Sequence, residues 1–147
     1  MRDSMVVMSI HPKHAEKILS GNKRIELRRS RPAFAPGTIV LIYSTAPVQQ
    51  IQGFFIVDDI VESDPEGLWN DYSEFCGVTE QEYQAYFSNA LRSYGLLVSE
   101  AFRFPNPISL KKIKKIYPDF YPPQSYRYIR SNQPSYKQLR KKCLKFT

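Results

Sequence analysis

Nine consecutive residues, 23–31, concentrate the groups in this chain that could bind an anion or move a proton. They hold five cations and one carboxylate: Lys23, Arg24, Glu26, Arg28, Arg29 and Arg31. In a strand, Arg24, Glu26 and Arg28 would share one face, because successive side chains point to opposite faces. A carboxylate two residues from each of two guanidinium groups can hold one in a fixed fork and leave the other for a ligand. The segment therefore predicts a compact anion site.

The residues around this segment predict the elements that would position it. Met5–Ile10 is short, apolar and partly β-branched, which is typical of a buried strand. Pro12 suits the first turn of a helix that Gly21 would end, and a strand over Lys23–Arg28 follows. Further strands are predicted at residues 38–44, 53–61 and 93–104, and Pro105 and Pro107 would end the last of them. Further helices are predicted at 65–75, after the capping box at 79–82, and at 110–116. Residues 125–147 are predicted to be helical in pieces at most. This order indicates a mixed α+β domain with a curved or closed sheet.

The charge of the chain is divided unevenly along its length. Residues 1–110 hold ten Lys and Arg against thirteen Asp and Glu, whereas residues 111–147 hold eleven against Asp119 alone. The C-terminal quarter thus carries all of the net charge of +7. Such asymmetry favours a polyanionic partner, nucleic acid first and an acidic membrane surface second. The alternative is a solvated basic tail that contributes only to solubility.

Length and cysteine content limit the class of protein. A chain of 147 residues fits one domain with one core. Cys76 and Cys143 match no zinc or redox spacing, and no secretory leader or membrane span is evident, so a soluble protein in a reducing, cytoplasmic setting is expected. His11 and His14 have no partner at metal-ligand spacing, so neither a metal nor a cofactor is predicted.

Residues Gly21–Arg28 fit the pattern Gly-x-Lys-x-x-Glu-x-Arg at all four fixed positions. The pattern and the elements around it resemble ASCH domains, a branch of the PUA-like fold. The resemblance implies an α+β fold, a PUA-like mixed β-barrel of about five to six strands with two to four short helices. We expect residues 1–130 to form this domain and residues 131–147 to be a basic C-terminal extension.

The resemblance also implies a function connected with RNA. RNA or a nucleotide is the expected partner, with DNA as an alternative and no membrane. The residues expected to bind it are Lys23, Arg24, Glu26, Arg28, Arg29, Lys111 and Lys112. Tyr43, Tyr126 and Tyr128 are candidates to stack on unpaired bases, although packing in the core is the commoner role of such rings. The alternative for Glu26 and Arg28 is a surface ion pair worth only about 0–1 kcal/mol.

Two further classes of function stay open. Some compact proteins of this type resemble amidohydrolases of N4-acetylcytidine, and others are linked to RNA cleavage. If this chain is an enzyme of either kind, Lys23 and Glu26 are the expected catalytic residues. The amidohydrolase pattern has Thr where this chain has Glu26, and a downstream acid that falls near Cys76 here, with Glu74 two residues away. The other class is a transcription-related regulatory or interaction protein, for which no helix-turn-helix pattern is evident.

Overall fold

Six strands and five α-helices form between residues 4 and 146, the part of the chain that the computed structural model describes, the side chain of Ser4 excepted. In chain order they are β1 (Ser4–Ile10), α1 (Pro12–Leu19), β2 (Ile25–Arg28), β3 (Ile39–Ser44), β4 (Gln50–Ser63), α2 (Pro65–Tyr72), α3 (Glu80–Tyr86), β5 (Ser93–Ser109), α4 (Leu110–Ile116), β6 (Tyr126–Arg130) and α5 (Pro134–Leu144). A 3-10 turn, Ser73–Phe75, follows α2. The predicted α+β class with five to six strands is confirmed, and the described residues contain five α-helices where two to four were predicted.

The six strands form one sheet in the order β2-β5-β4-β3-β1-β6. Strands β1 and β3 are parallel, and the other neighbours are antiparallel. Among the described residues the hydrogen-bonded ladder does not close into a ring. The two edges nevertheless approach each other, because Arg28 at the end of β2 donates to Ser125 next to β6, and the Ala33 amide donates to Tyr126. The sheet is therefore curled toward a barrel, with side chains bridging its open seam.

Alternation along β1 divides the core into two layers. Met5 and Val7 face one layer, which α4 and α5 cover, while Val6 and Met8 face the other, which α1 covers. All four side chains are fully buried, so β1 is covered on both faces, as its continuous apolar run predicts. A third cluster joins Ile25 and Leu27 of β2 to α2 and α3.

Several predicted boundaries were wrong, and strand β4, predicted over 53–61, runs over Gln50–Ser63. Strand β5 does not end at Phe104, because the stretch with Pro105 and Pro107 bulges between the pairs Gly53–Arg103 and Ile51–Ile108. Outside the ladder a proline without an N–H costs no hydrogen bond. Strand β2 begins at Ile25 rather than Lys23, and the helix predicted over 65–75 ends at Tyr72 in a 3-10 turn.

The C-terminal region is more ordered than its sequence predicts. Strand β6, which sequence reasoning missed, pairs with β1, and α5 follows as one continuous helix. Tyr136, Leu139 and Cys143 of α5 are buried in the same layer as Met5. The boundary at residue 130 stays a prediction, but the helix beyond it contributes to the core. Thr147, the last residue of the predicted extension, lies outside the described residues.

Candidate functional site

The turn between α1 and β2 directs Lys23 into the protein. Gly21 has a φ of +85°, a conformation that favours glycine, and there the chain leaves the helix. The amides of Asn22 and Lys23 both donate to the carbonyl of Lys17, and the amide of Arg24 donates to that of Phe75. These bonds hold the backbone at Lys23 and on both sides of it.

The side chain of Lys23 is 2% exposed, and its Nζ donates to the carbonyl oxygen of Cys76. Gly77 makes room for it: this residue has a φ of +65°, and an added Cβ would lie 3.0 Å from the Cβ of Lys23. Burial lowers the pKa of Lys23 from its ordinary value, and the nearby Glu26 carboxylate opposes that shift. An ammonium group with little water around it is suited to hold an anion or to transfer a proton.

Glu26 and Arg28 form an ion pair with 2.9 Å between Oε2 and Nη2. The two side chains are only 9% and 15% exposed, so the alternative of a surface ion pair was wrong. Arg28 also donates from Nη2 to the Ser9 carbonyl and from Nη1 to the Ser125 hydroxyl, both at 3.3 Å. Because three partners on three segments hold the guanidinium, its orientation is set before any ligand arrives.

Lys23, Glu26 and Arg28 line one cavity of about 350 Å³, which we call the β2 pocket. Nine other residues complete its lining: Ser9, Ile10, His11, His14, Leu27, Val78, Glu82, Tyr83 and Tyr86. The volume lies at the lower end of the range for small-molecule sites. Helix α1 forms one wall and α3 another, so residues distant in sequence meet over β2.

His14 is the lining residue whose role sequence reasoning missed. Burial lowers the pKa of His14, and the positive charge of Lys23 lowers it further, so the imidazole is neutral at pH 7. Its Nδ1 is buried and has no hydrogen-bond partner among the described residues, which leaves a polar atom for a ligand to satisfy. The sequence does indicate that His14 lies one turn into α1, a helix that begins directly after a strand ends. The sequence offered no sign that this turn faces Lys23.

The α3 wall supplies a carboxylate and two phenols that the sequence assigned to other roles. Glu82 completes the predicted capping box with Thr79 and pairs with Lys13 at 2.9 Å. The Tyr83 hydroxyl donates to the carbonyl of Pro65, and the Tyr86 hydroxyl to that of Leu27 at 3.2 Å. Tyr86 lines the pocket and is 40% exposed.

A second cavity of about 360 Å³ lies beside the β2 pocket. We call it the arginine cleft, because it is lined by Arg28, Arg29, Ser30, Arg31, Pro32, Tyr86, Ser125 and Tyr126. Arg29, a predicted site residue, lies here. Arg31 reaches Glu62 on β4 with 2.7 Å between Nη1 and Oε1, and both groups are partly exposed.

Three other predicted site residues line neither cavity: Arg24, Lys111 and Lys112. The Arg24 guanidinium lies 5.9 Å from the centre of the Phe75 ring, because residue 24 precedes β2 and does not follow its alternation. Lys111 and Lys112 are exposed on α4, which packs through Ile113 against the layer containing Tyr43. Tyr43 itself is buried and cannot stack on a base, whereas Tyr126 and Tyr128 are half-buried.

Between residues 4 and 146 no three His, Cys, Asp or Glu side chains lie together as a set that could hold a metal ion. No helix in that part of the chain has the length and apolar character to cross a membrane. Cys76 and Cys143 are both buried free thiols.

The ASCH domain family model matches residues 8–106, a range that includes every residue of the β2 pocket. The chain belongs to the ASCH domain family. A Zymomonas mobilis protein named ASCH domain-containing ribonuclease is 34% identical over 127 residues, which are 86% of this chain and 85% of that protein. These matches confirm the resemblance to ASCH domains that residues 21–28 indicated.

Solved structures give the same result. The crystal structure of ASCH from Zymomonas mobilis superposes with a TM-score of 0.84 at 32% identity and covers 97% of this chain and 95% of that one. The N-terminal domain of Staphylothermus marinus McrB has a TM-score of 0.60 at 10% identity, covering 97% of this chain and 94% of that one. At that identity the likeness to McrB concerns the fold alone. In this ASCH protein the pocket combines a fixed guanidinium, a desolvated ammonium and a neutral imidazole, which together can bind an anion and transfer protons.

Proposed function

We propose that this ASCH protein binds RNA in the β2 pocket and cleaves it. The observation that carries the proposal is the convergence of His14, Lys23, Glu26 and Arg28 on one cavity. The name of the Zymomonas mobilis relative, a ribonuclease that aligns over most of both chains, supports the choice of RNA as substrate.

Arg28 is the proposed ligand of the phosphate. Glu26 and Ser9 use both N–H groups of its Nη2, so the donors left for phosphate oxygens are one N–H of Nη1 and the buried Nε–H, which has no partner among the described residues. Three protein partners fix the orientation of these donors. Glu26 positions Arg28 and partly balances the charge of Lys23. The exposed face of Tyr86 is available to a base at the mouth of the pocket, since stacking on an aromatic ring is a common way to hold unpaired RNA.

The proposed reaction is transfer of the phosphoryl group to the neighbouring 2′-hydroxyl. Neutral His14 takes the 2′-hydroxyl proton as the 2′-oxygen bonds to phosphorus. The bond from phosphorus to the 5′-oxygen breaks, and Lys23 gives that oxygen a proton. The products are a 2′,3′-cyclic phosphate and a free 5′-hydroxyl end, and Arg28 stabilises the charge on the phosphoryl oxygens between these states.

The burial of Lys23 beside Glu26 supports a second candidate, hydrolysis of the amide of a modified nucleoside such as N4-acetylcytidine. A lysine whose pKa is lowered by burial can activate water, and the pocket volume suits a single nucleoside. The position expected to supply a downstream acid does not do so here. The Cys76 thiol donates to the carbonyl of Tyr72, Glu74 is exposed, and neither residue lines the pocket.

The deciding experiment follows labelled single-stranded RNA at two salt concentrations, measuring both affinity and cleavage, with N4-acetylcytidine hydrolysis on the same sample. We expect salt-dependent binding and RNA cleavage by the parent protein, and loss of both in Arg28→Ala. Arg24→Ala is the matched control. It removes the same charge four residues earlier in the chain, and the guanidinium that it removes lies outside both cavities. Equal binding and cleavage by the parent and a folded Arg28→Ala variant would refute the proposal. Hydrolysis of N4-acetylcytidine without RNA cleavage would establish the second candidate instead.

A further inference from the structure

We propose that a cavity between α2 and α3 is a binding site for a small aliphatic amine, and that a diamine fits it best. The cavity has a volume of about 530 Å³, within the range for small-molecule sites, and we call it the α2–α3 cavity. It shares Tyr83 with the β2 pocket. Its lining consists of Pro65, Glu66, Trp69, Asn70, Glu80, Tyr83, Gln84, Phe87 and Ala90.

Three aromatic rings line the cavity and pack against one another. The centre of the Tyr83 ring lies 4.7 Å from that of Trp69 and 4.8 Å from that of Phe87. The Tyr83 hydroxyl donates to the carbonyl of Pro65 at 2.6 Å, which ties α3 to the first turn of α2. Tyr83 and Phe87 are buried, whereas Trp69 is only partly buried and keeps ring surface for a ligand. The face of an indole ring attracts an organic cation.

Four polar side chains complete the lining, and no protein cation balances their charge. Glu66 lies in the first turn of α2 with Asn70 four residues later, and Glu80 lies in the first turn of α3 with Gln84 four residues later. Each pair therefore shares one face of its helix. All four side chains are exposed, and none makes an ion pair within the part of the chain that the structure describes. The lining contains no Lys, Arg or His.

Neighbouring carboxylates outside the cavity do have partners. Glu62 pairs with Arg31 at 2.7 Å, and Glu82 pairs with Lys13 at 2.9 Å. Residues 62–91 hold seven of the fourteen Asp and Glu of the chain and no Lys, Arg or His. The cation that would balance the two carboxylates of the cavity must therefore come from outside this segment.

The chemistry of the lining favours a primary amine over other cations. The side-chain oxygens of Asn70 and Gln84 can accept N–H groups of an ammonium, and methylene groups suit the ring of Trp69. A metal ion would gain nothing from the rings, and no three His, Cys, Asp or Glu side chains between residues 4 and 146 are grouped to hold one. Because the two carboxylates lie on separate helices, an aliphatic chain with an ammonium group at each end is favoured.

The test is a titration at constant ionic strength with putrescine, butylamine, butanol and magnesium ion. The fluorescence of Trp69 reports binding, because Trp69 is the only tryptophan of the chain and lines the cavity. We expect a saturable change with putrescine and about threefold weaker binding of butylamine, which loses one exposed ion pair. Butanol and magnesium should give no saturable change at the same concentrations. The inference is overturned if putrescine gives none, or if magnesium ion or butanol binds as tightly as putrescine.

Two double variants locate the bound amine. Glu66→Gln combined with Glu80→Gln should weaken putrescine binding by about three- to tenfold, the loss of two exposed ion pairs. Asp71→Asn combined with Glu74→Gln is the matched control, since it removes the same charge from exposed residues of the same segment that do not line the cavity. An equal loss in both double variants would show only a general attraction to the acidic segment and would overturn the site.

Arg28→Ala separates this inference from the proposed function. That variant is expected to lose RNA binding and to keep the parent's affinity for putrescine, because Arg28 does not line the α2–α3 cavity. A loss of putrescine binding in folded Arg28→Ala would place the amine in the β2 pocket and overturn the inference. The affinity for RNA is measured on the same samples, so either proposal can fail while the other stands.

Discussion

The β2 pocket and the C-terminal quarter of the chain are both rich in cations, but they hold them in opposite ways. Around β2, Lys23 is buried and Arg28 nearly so, and each has fixed hydrogen-bond partners. On α4, Lys111 and Lys112 are exposed. The exposed lysines act through long-range attraction that salt screens, whereas the buried groups act at short range and in one direction. The number of charges therefore identifies where a polyanion is attracted, and their burial identifies where chemistry can take place.

The C-terminal quarter is also more than a carrier of charge. Its Leu139 and Cys143 complete the core layer against β1, and Arg127 stacks over the rings of Tyr117 and Tyr121, at 5.3 and 4.4 Å. Part of this region's charge thus serves its own packing. This difference between the two regions predicts three kinds of effect. Changes in the pocket should alter turnover, and changes in the buried face of α5 should alter stability. Changes on α4 should alter only the salt-dependent attraction of a polyanion.

The largest expected effect is that of Lys23→Met. This change keeps the length of the side chain but removes the ammonium group, and loss of a proton-transfer group typically costs about 10²–10⁴-fold in rate. We expect the rate constant of RNA cleavage, measured under single-turnover conditions, to decrease by that factor. The melting temperature is recorded alongside to show that the variant is folded.

Lys17→Met is the matched control for this change. Lys17 Nζ donates to the Gly77 carbonyl at 2.6 Å, and Lys23 Nζ donates to the carbonyl of the preceding residue, Cys76. Lys17 nevertheless does not line the pocket. If both variants lost activity equally, the lysines would only be holding the turn at residues 76–77, and the catalytic role of Lys23 would have to be abandoned.

The next effect tests whether α5 is a part of the core or a solvated tail. Leu139 is 3% exposed and packs in the layer with Ile129 and Tyr136, so Leu139→Ala should lower the free energy of unfolding by about 2–5 kcal/mol. Leu144→Ala is the same change on the same helix, at a residue that is 53% exposed. It should lower the free energy of unfolding by less than about 0.5 kcal/mol. Urea denaturation measures both. Equal and small losses would show that α5 lies outside the core, as a basic extension would.

A third effect concerns pH. The pKa of His14 is lowered from 6.5, so the neutral base persists below that pH and is lost only on further acidification. The pKa of Lys23 is lowered from 10.5, so the proposed acid is lost on the alkaline side before that pH is reached. Cleavage should therefore follow a bell-shaped profile, falling by about tenfold per pH unit beyond each limb. His14→Ala should lose the acidic limb, and an unchanged limb in that variant would exclude His14 as the base.

The parts of this site that sequence predicted are those determined by local spacing. Gly21 at the helix end, the buried alternation of Ile25 and Leu27, and the pairing of Glu26 with Arg28 follow from residues within one turn or strand. The contributions of α1 and α3 did not follow, because they depend on how two helices cross β2. Nothing near His14 or Tyr86 in the sequence specifies that crossing.

Errors in the fold have similar physical origins. Strand β6 is short and carries Arg127 and Arg130, which dilute its apolar pattern, and it becomes a strand by pairing with β1 about 120 residues earlier in the chain. Pro105 and Pro107 normally end a strand, but the bulge opposite Ile51–Gly53 accommodates them. In both cases a distant partner strand outweighed the local preference.

The smallest expected effect is that of Lys111→Gln combined with Lys112→Gln. Both side chains are exposed and neither lines the pocket, so kcat on saturating RNA should not change. Each contact between a lysine and a phosphate contributes about 0.7 to the salt slope on a single strand. We expect the slope of log K against log salt to become shallower by up to that amount per lysine, with a correspondingly weaker affinity at low salt.

Lys137→Gln, an exposed lysine on α5, shows whether the attraction depends on position or only on net charge. If one charge removed from α5 flattened the slope as much as one removed from α4, the C-terminal quarter would act as a diffuse positive field. A selective effect of Lys111 and Lys112 would instead place part of the bound strand along α4. An unchanged slope in every variant would show that this charge contributes to solubility alone, and the β2 pocket with its arginine cleft would then account for all the RNA affinity of the protein.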